Sequence, residues 1–454
     1  MARLVIVSNR VPPPRARSDL AGGLAVALRE AIAHYEGLWF GWSGQITAQP
    51  PGEPRTTKVG RVVFATIDLA EADYQGYYQS FSNATLWPLL HGWMELAVFR
   101  REDFERYLAV NRAFAHALAP LLRPDDLVWI HDYHLIPLGQ ALRELGVRSP
   151  LGFFLHVPFP APQVFACLPR GDVLLRAFEA YDVVGLQVQH DADNLNAMLD
   201  RLGMTTRAFA LPIGIHPEAF AAAALRAEHS QDQIRLRESL AERALVLGVD
   251  RLDYSKGLTE RFRGFAQLLR RFPEHRNRVT FLQIAPVSRG DVAQYRSLRR
   301  ELNELAGRIN AEHAEFDWTP LRYLTRAFPR TTLAGFCRLA RVGLVTPLRD
   351  GMNLVAKEYV AAQDPENPGA LVLSRFAGAA HELEDAILVN PHDPDEIAEA
   401  LDLALRMSAD ERRTRWQGMW RMVQRNTAAA WADRFVAMLK NRNVHSAWDH
   451  ADES

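Results

Sequence analysis

The chain has 454 residues, 48% hydrophobic and 24% charged, with a formal net charge of −1; that is a globular composition long enough for two domains, and it carries no overall field that would favour nucleic acid or an anionic membrane. Two cysteines far apart in sequence, Cys167 and Cys337, argue against a disulfide framework and for a reducing compartment, the cytoplasm. No apolar run approaches the length of a membrane span, and Arg3–Ser8 reads as a strand, not a leader peptide.

Leu4–Val7 reads as a short buried strand ending at Ser8-Asn9-Arg10. A proline-rich loop (Pro12, Pro13, Pro14) leads to Gly22-Gly23, which opens a helix over Leu24–His34 with Leu24, Leu28, Ala31 and Ile32 on one face. The glycines lie too far from the strand to match the dinucleotide-binding fingerprint. Leu38–Trp42 and Val62–Ala65 read as strands around a turn-rich loop at 49–54. Tyr77–Trp87 reads as partly helical, its aromatics more core than ligand platform, and Phe104–Leu122 as a long amphipathic helix.

Leu127–Ile130 is a strand with His131-Asp132-Tyr133-His134 at its carboxyl end, where open α/β sheets bind ligands. A metal is not expected there, because no second chelating cluster accompanies the histidines in sequence. Leu151–Leu155 ends in the same way at His156, ahead of Pro158 and Pro160, which forbid a helix directly after it. Asp182–Gln187 and Ala208–Ile215 continue the alternation, and the Ala- and charge-rich segment 219–243 contains a helix and marks the domain boundary.

A second series then begins. Ala244–Val249 is a strand ending in Asp250–Gly257, with Arg251 and Lys256 at its mouth, and Thr280–Ile284 is a strand with Arg289 beyond it. Fixed and mobile cations at strand mouths suit a diphosphate. After strand Val342–Thr346 comes the stretch on which the reading centres, Thr346–Glu358, a tight turn into a helix over Asn353–Gln363. Asn353 can cap that helix, Gly351 admits close backbone approach, and the unpaired amides of the helix start are a ready phosphate site. An ordinary βα turn with solvated charges accounts for the same residues equally well. Strands at Ala370–Ser374 and Ile387–Val389 and helices at Pro394–Met407 and Trp431–Asn441 complete the chain.

Two βα series imply two doubly wound domains facing a cleft. Arg10, His131, Asp132 and His156 would line it from one half, and Arg251, Lys256, Arg289, Asp350 and Glu358 from the other. Residue chemistry alone gives a phosphorylated ligand and no reaction.

Several motifs together resemble one family. They are Ser8–Arg10, Gly22-Gly23-Leu24, Trp39–Trp42, Trp129–His134, Phe153–Pro160, Arg251–Gly257, Ser288–Asp291 and Thr346–Gln363. From Arg3 to about Met407 the chain resembles the trehalose-6-phosphate synthases, retaining glycosyltransferases of the GT-B type. The resemblance implies an α/β GT-B fold, two doubly wound Rossmann-like domains facing a central cleft. Residues 1–225 would form an acceptor-binding domain, with a C-terminal helix at about 427–454 packed back on it, and residues 226–426 a nucleotide-sugar-binding domain. The implied reaction is transfer of glucose from UDP-glucose to glucose 6-phosphate with retention, giving trehalose 6-phosphate and UDP in the service of stress protection.

Carried over motif by motif, Arg10, Tyr78 and Arg289 would hold the acceptor phosphate, and Asp132 would hold acceptor hydroxyls and assist the acceptor's deprotonation. Trp87 and His156 would select the α anomer. Gly22 and Gly23 would bring backbone to the donor diphosphate, and Arg251 and Lys256 would neutralise the departing UDP. Phe328 would lie by the uracil and Asp350 would bind the donor glucose. Leu354, Val355, Ala356, Lys357 and Glu358 would supply helix-start amides to the donor, with the Glu358 side chain on the ribose. The resemblance implies no cofactor and no metal, no nucleic-acid or membrane partner, and a homo-oligomer, dimer or tetramer. Retention ordinarily suggests a carboxylate nucleophile; the family is thought instead to react on one face of the sugar. The segment between Met204 and Pro212 is shorter than in bacterial relatives, the match weakens after about Met407, and no phosphatase domain is expected to follow. The alternatives are a sister synthase acting on glycerol 3-phosphate and a catalytically silent sugar-phosphate sensor.

Overall fold

The computed structural model describes residues 3–13, 23–33, 35–48, 52–287 and 293–441. They form two compact units. The first comprises β1 (Leu4–Arg10), the span Leu24–Ile213 and the helix Ala428–Lys440; the second comprises Gly214–Thr427 together with Gly23.

The first unit is built on a sheet of eight strands. After β1 come β2 (Gly37–Thr47), β3 (Arg55–Val59), β4 (Val62–Ala70), β5 (Leu127–His131), β6 (Leu151–Phe154), β7 (Val183–Leu186) and β8 (Ala208–Ala210). Their order is β3-β4-β2-β1-β5-β6-β7-β8, and every pair is parallel except β3–β4. Leu4–Val7 and all of β5, β6 and β7 are buried, so these strands read as unbroken apolar runs, the mark of a sheet covered on both faces. β3, which the sequence reading omits, is an exposed antiparallel edge of sequence RTTKV. It has no apolar face for alternation to reveal.

The second unit carries six parallel strands: β9 (Ala244–Val249), β10 (Val279–Ile284), β11 (Leu321–Leu324), β12 (Val342–Val345), β13 (Ala370–Ser374) and β14 (Ile387–Val389). Their order, β11-β10-β9-β12-β13-β14, is that of a doubly wound dinucleotide-binding sheet. Helix Leu258–Arg271 covers it with Leu258, Phe262, Phe265, Leu268 and Leu269, all buried at helical spacing.

The structure corrects several expectations. The chain leaves the first unit at Ile213, not at residue 225, because helix Pro217–Ala227 packs on helices Arg330–Leu339 and Leu354–Ala362 of the second unit. Segment 219–243 holds two helices, Pro217–Ala227 and Gln231–Leu240, the second capped by Ser230, whose hydroxyl accepts the Gln233 amide at 3.3 Å. The strand expected over Ala208–Ile215 stops at Ala210, just short of Pro212. Tyr74–Leu86 is a π-helix inside a longer helical run, an uncommon form that often marks functional sites.

Helix Ala428–Lys440 returns to the first unit and lies on β5 and β7. Phe435 stacks on Trp129 at 4.3 Å, and Trp431 lies 4.7 Å from Trp129 and 5.1 Å from Phe154. Gly152 of β6 makes the room: a Cβ there would stand 2.5 Å from the Phe435 ring. Among the described residues no helix is long and apolar enough to cross a membrane.

Candidate active site

In the second sheet the strand order runs outward from β9 on one side and β12 on the other, so the loops above these two strands diverge and leave a crevice. Both loops carry the predicted polar groups, and they are stitched together. The Leu348 amide donates to the Ser255 carbonyl at 2.8 Å, and Lys256 forms an ion pair with Asp350, the two side chains 12% and 14% exposed. The same Asp350 oxygen accepts from the Asn353 side-chain amide at 3.0 Å. Asn353 sits at φ 77° and caps helix Leu354–Ala362 by accepting the Ala356 amide at 3.3 Å. Arg251 is half exposed at this mouth, 3.9 Å from the buried carboxylate of Asp253.

Beneath these residues lies one that sequence reading misses. The guanidinium of Arg261, wholly buried, donates to Asp250 at 2.8 Å, Gln283 at 2.9 Å, Thr346 Oγ1 at 3.0 Å and the Lys256 carbonyl at 3.3 Å. It therefore ties the ends of β9, β10 and β12 into one floor. Burial pushes the Asp250 carboxyl above its ordinary range, and the Arg261 charge pulls against that. The signal was available: Arg261 falls on the apolar stripe of its helix, where an arginine is expected only if fully paired. Gly257, at φ 61°, closes the loop; a Cβ there would stand 2.2 Å from the Thr346 carbonyl oxygen.

Further along the helix, Glu358 accepts from Arg330 at 3.1 Å, a partner the sequence reading does not name. Burial raises the Glu358 carboxyl and Arg330 opposes the rise. Phe328, two residues before Arg330, lies under the Arg326 guanidinium at 4.4 Å and edge-on to Phe336 at 5.7 Å. One expectation is narrowed: the Ala356 amide is engaged by the Asn353 cap and so is not open to a ligand in this state, while the Lys357 side chain turns away into a buried pair with Glu382 at 2.5 Å.

The first sheet has its own divergence point, between β1 and β5. Arg10 ends β1 exposed, its guanidinium 5.9 Å from the centroid of the Trp42 ring. Trp42 lies 5.6 Å from both Tyr74 and Tyr78, and Tyr78 stacks on His134 at 5.8 Å. The structure thus brings Arg10 and Tyr78 together through Trp42, a residue of the Trp39–Trp42 motif with no role assigned from sequence.

Asp132 follows β5 at φ 77°, a conformation few non-glycine residues adopt and one that tends to mark functional positions. Its Oδ1 accepts the His156 amide at 3.3 Å. The rings of His131 and His156 face each other, Nδ1 to Nε2, at 3.1 Å, and Gln187 contacts His156 Nδ1 at 3.2 Å. Burial holds both imidazoles neutral, His131 well below its ordinary range and His156 down to about 3. His134 stacks on Tyr78 while His131 faces His156, so the two histidines of the motif serve different neighbours. Trp87 is buried, 5.7 Å from Tyr133. Gly23 opens helix Gly23–Ala33, whereas Gly22 and Arg289 lie outside the described residues.

Comparison with known proteins adds a family. The sequence profile of glycosyltransferase family 20 matches residues 3–441, so the correspondence continues through the segment after Met407 where the sequence reading finds it weak. A trehalose-6-phosphate synthase of Cronobacter sakazakii is 46% identical over 97% of this chain and 95% of its own length. A crystal structure of an α,α-trehalose-phosphate synthase (UDP-forming) from Burkholderia xenovorans, in complex with glucose-6-phosphate, superposes with a TM-score of 0.93 at 46% identity, covering 96% of this chain and all of that one. An E. coli structure bound with UDP-2-fluoro glucose gives a TM-score of 0.92 at 45% identity, over 97% of this chain and 99% of that one. With this fold and these similarities along almost its whole length, the chain belongs to glycosyltransferase family 20.

Proposed function

We propose that this chain transfers glucose from UDP-glucose to the anomeric hydroxyl of glucose 6-phosphate, giving trehalose 6-phosphate and UDP. The observation that carries the reading is the crevice above β9 and β12. There Lys256, Asp350 and the Asn353-capped start of helix Leu354–Ala362 meet beside Arg251. A departing nucleoside diphosphate needs positive charge placed in advance, and a helix amino end with two neighbouring cations supplies it.

In this reading Asp350 holds the donor glucose and keeps Lys256 oriented until the diphosphate arrives. The Leu354 and Val355 amides turn to the phosphates, Glu358, steadied by Arg330, takes the ribose, and Phe328 lies by the base. Gly22 and Gly23 bring backbone to the diphosphate. Arg10, Tyr78 and Arg289 take the acceptor phosphate; Trp42, touching both Arg10 and Tyr78, keeps the first two in register. Asp132 holds acceptor hydroxyls, and Trp87 and His156 favour the α product. Retention follows from attack and departure on one face of the donor sugar. The same cations make a metal unnecessary, so turnover in EDTA is expected to equal turnover with added Mg2+. A cytoplasmic location suits the unpaired Cys167 and Cys337. A homo-oligomer, dimer or tetramer, belongs to the same proposal and is read by light scattering.

The test is UDP release measured with UDP-, ADP- and GDP-glucose against glucose 6-phosphate and glycerol 3-phosphate. The expected result is the highest kcat/KM for UDP-glucose with glucose 6-phosphate. Preference for glycerol 3-phosphate, or binding of glucose 6-phosphate without turnover of any donor, would overturn it.

A further inference from the structure

The geometry points to Gln187 as a positioning residue that fixes the tautomer of His156, so that His156 presents a donor at Nε2 and never an acceptor. The amide of Ile213, where the chain leaves the first unit, donates to Gln187 Oε1 at 2.9 Å. A backbone N–H can only donate, so the carbonyl end of the Gln187 side chain is committed to it. The amide nitrogen of Gln187 is therefore the end that faces His156 Nδ1, at 3.2 Å, and it too can only donate. His156 Nδ1 must accept, so the ring proton sits on Nε2. That proton points at His131 Nδ1, 3.1 Å away, which accepts in turn and leaves its own proton on Nε2.

His131 Nε2 is buried with no nitrogen or oxygen partner, among rings centred 4.6 Å (Trp129) and 6.3 Å (Trp431) from the His131 ring. The opposite arrangement, with His131 donating to His156, would turn Nδ1–H of His156 against the Gln187 NH2 or, with that amide flipped, leave the Ile213 N–H facing it. A charged His156 is opposed by burial. The groups that face His156 are His131 after β5, Asp132 through the backbone amide, Gln187 after β7, and Phe154 and Trp431 through their rings. Asp132 is the one carboxylate among these, and its Oδ1 accepts the His156 main-chain amide.

This chain of donors explains why a glutamine, and not a carboxylate, follows β7. With a donor fixed on Nε2, His156 is held by His131 when no sugar is present and can offer the same proton to a sugar oxygen. The kinetic part of the inference rests on the synthase reading above; the tautomer does not.

The test is nitrogen-15 NMR of the imidazoles in the full chain, with His156 assigned by its absence in H156Q, alongside kinetics of Q187E and Q187A. In the unaltered protein His156 is expected as the neutral Nε2–H tautomer from pH 6 to 8. Q187E keeps the shape and still accepts from Ile213, but it also accepts from the ring, so Nδ1 becomes protonated. Its kcat is expected to fall about tenfold, the scale of one misdirected hydrogen bond, with KM for glucose 6-phosphate within about twofold and a new acid-dependent limb in the kcat profile. Q187A is expected to show mixed tautomers and an intermediate kcat. An Nδ1–H or charged His156 in the unaltered protein, or Q187E with unchanged kcat and an unchanged spectrum, would overturn the assignment. If the unaltered chain turns over neither substrate, the synthase reading fails while the spectrum still decides the hydrogen-bond chain.

Discussion

Replacing Arg261 with methionine tests whether the second sheet's ligand crevice rests on a single buried cation. The guanidinium is wholly buried and its Asp250 partner 3% exposed, and its donors also satisfy Gln283, Thr346 and the Lys256 carbonyl. Methionine keeps much of the length and removes every donor. Removing one partner of a buried pair costs about 3–5 kcal/mol, because the other charge is left without compensation. Protonation of Asp250 relieves part of that, and burial already pushes this carboxyl upward. The orphaned oxygens of Gln283 and Thr346 add about 1 kcal/mol or more each. The expected loss is therefore about 4 kcal/mol in the unfolding of the second unit. Urea denaturation followed by tryptophan fluorescence measures it, with the two units fitted as separate transitions. The double variant R261M/D250N should recover at least half of the loss, since the uncompensated charge is gone. A loss below about 1 kcal/mol, or one that Asp250→Asn does not reduce, would refute the reasoning. In parallel, KM for UDP-glucose should rise while KM for glucose 6-phosphate holds.

Gly257→Ala should destabilise the same unit: the left-handed φ of 61° costs an L-residue roughly 1–2 kcal/mol, and the new methyl meets the Thr346 carbonyl at 2.2 Å. An unchanged urea midpoint would contradict this. Glu358→Gln keeps the contact with Arg330 but removes the charge, and KM for UDP-glucose should rise roughly tenfold with little change for the acceptor; equal effects on both substrates would remove Glu358 from the donor site. Acid should destabilise the first unit through His156, whose folded value near 3 lies below its ordinary 6.5. Below pH 6.5 the unfolded chain takes up a proton that the folded chain refuses, so stability present above pH 6.5 is lost toward pH 3, at no more than about 1.4 kcal/mol per pH unit for this group. H156Q should flatten that slope between pH 6.5 and 4, and an identical slope would exclude His156 as its source.

What could be read before the fold was known followed from burial. The buried strands β1, β5, β9, β12 and β13 are short apolar runs with polar residues at their carboxyl ends, and both the sheets and the strand mouths followed from them. Of the edge strands, β3 and β11 were harder, since β3 is exposed at every residue and β11 buries only Leu321 fully. Helices Gln189–Arg201, Ala293–His313 and Ala409–Arg425 were not legible, because they are predominantly polar and their apolar stripes are diluted by charge. Within the site, charged groups at strand ends were legible, but their long-range partners were not. Arg330 and Glu358 are separated by 28 positions, and Arg261 and Thr346 by 85. Gln187 escaped for a different reason: its role lies in the direction of its hydrogen bonds, which only the placement of the Ile213 amide reveals.

The return of helix Ala428–Lys440 to the first unit has a bearing on how the chain is made. Trp431 and Phe435 floor the strands that carry His131 and His156, yet a ribosome delivers them only after the whole of Gly214–Thr427 has emerged. The second unit can fold as it is translated; the first must wait with Trp129 and Phe154 uncovered until helix Ala428–Lys440 arrives. A nascent chain arrested before Ala428 would thus expose the underside of one site while the other is already built.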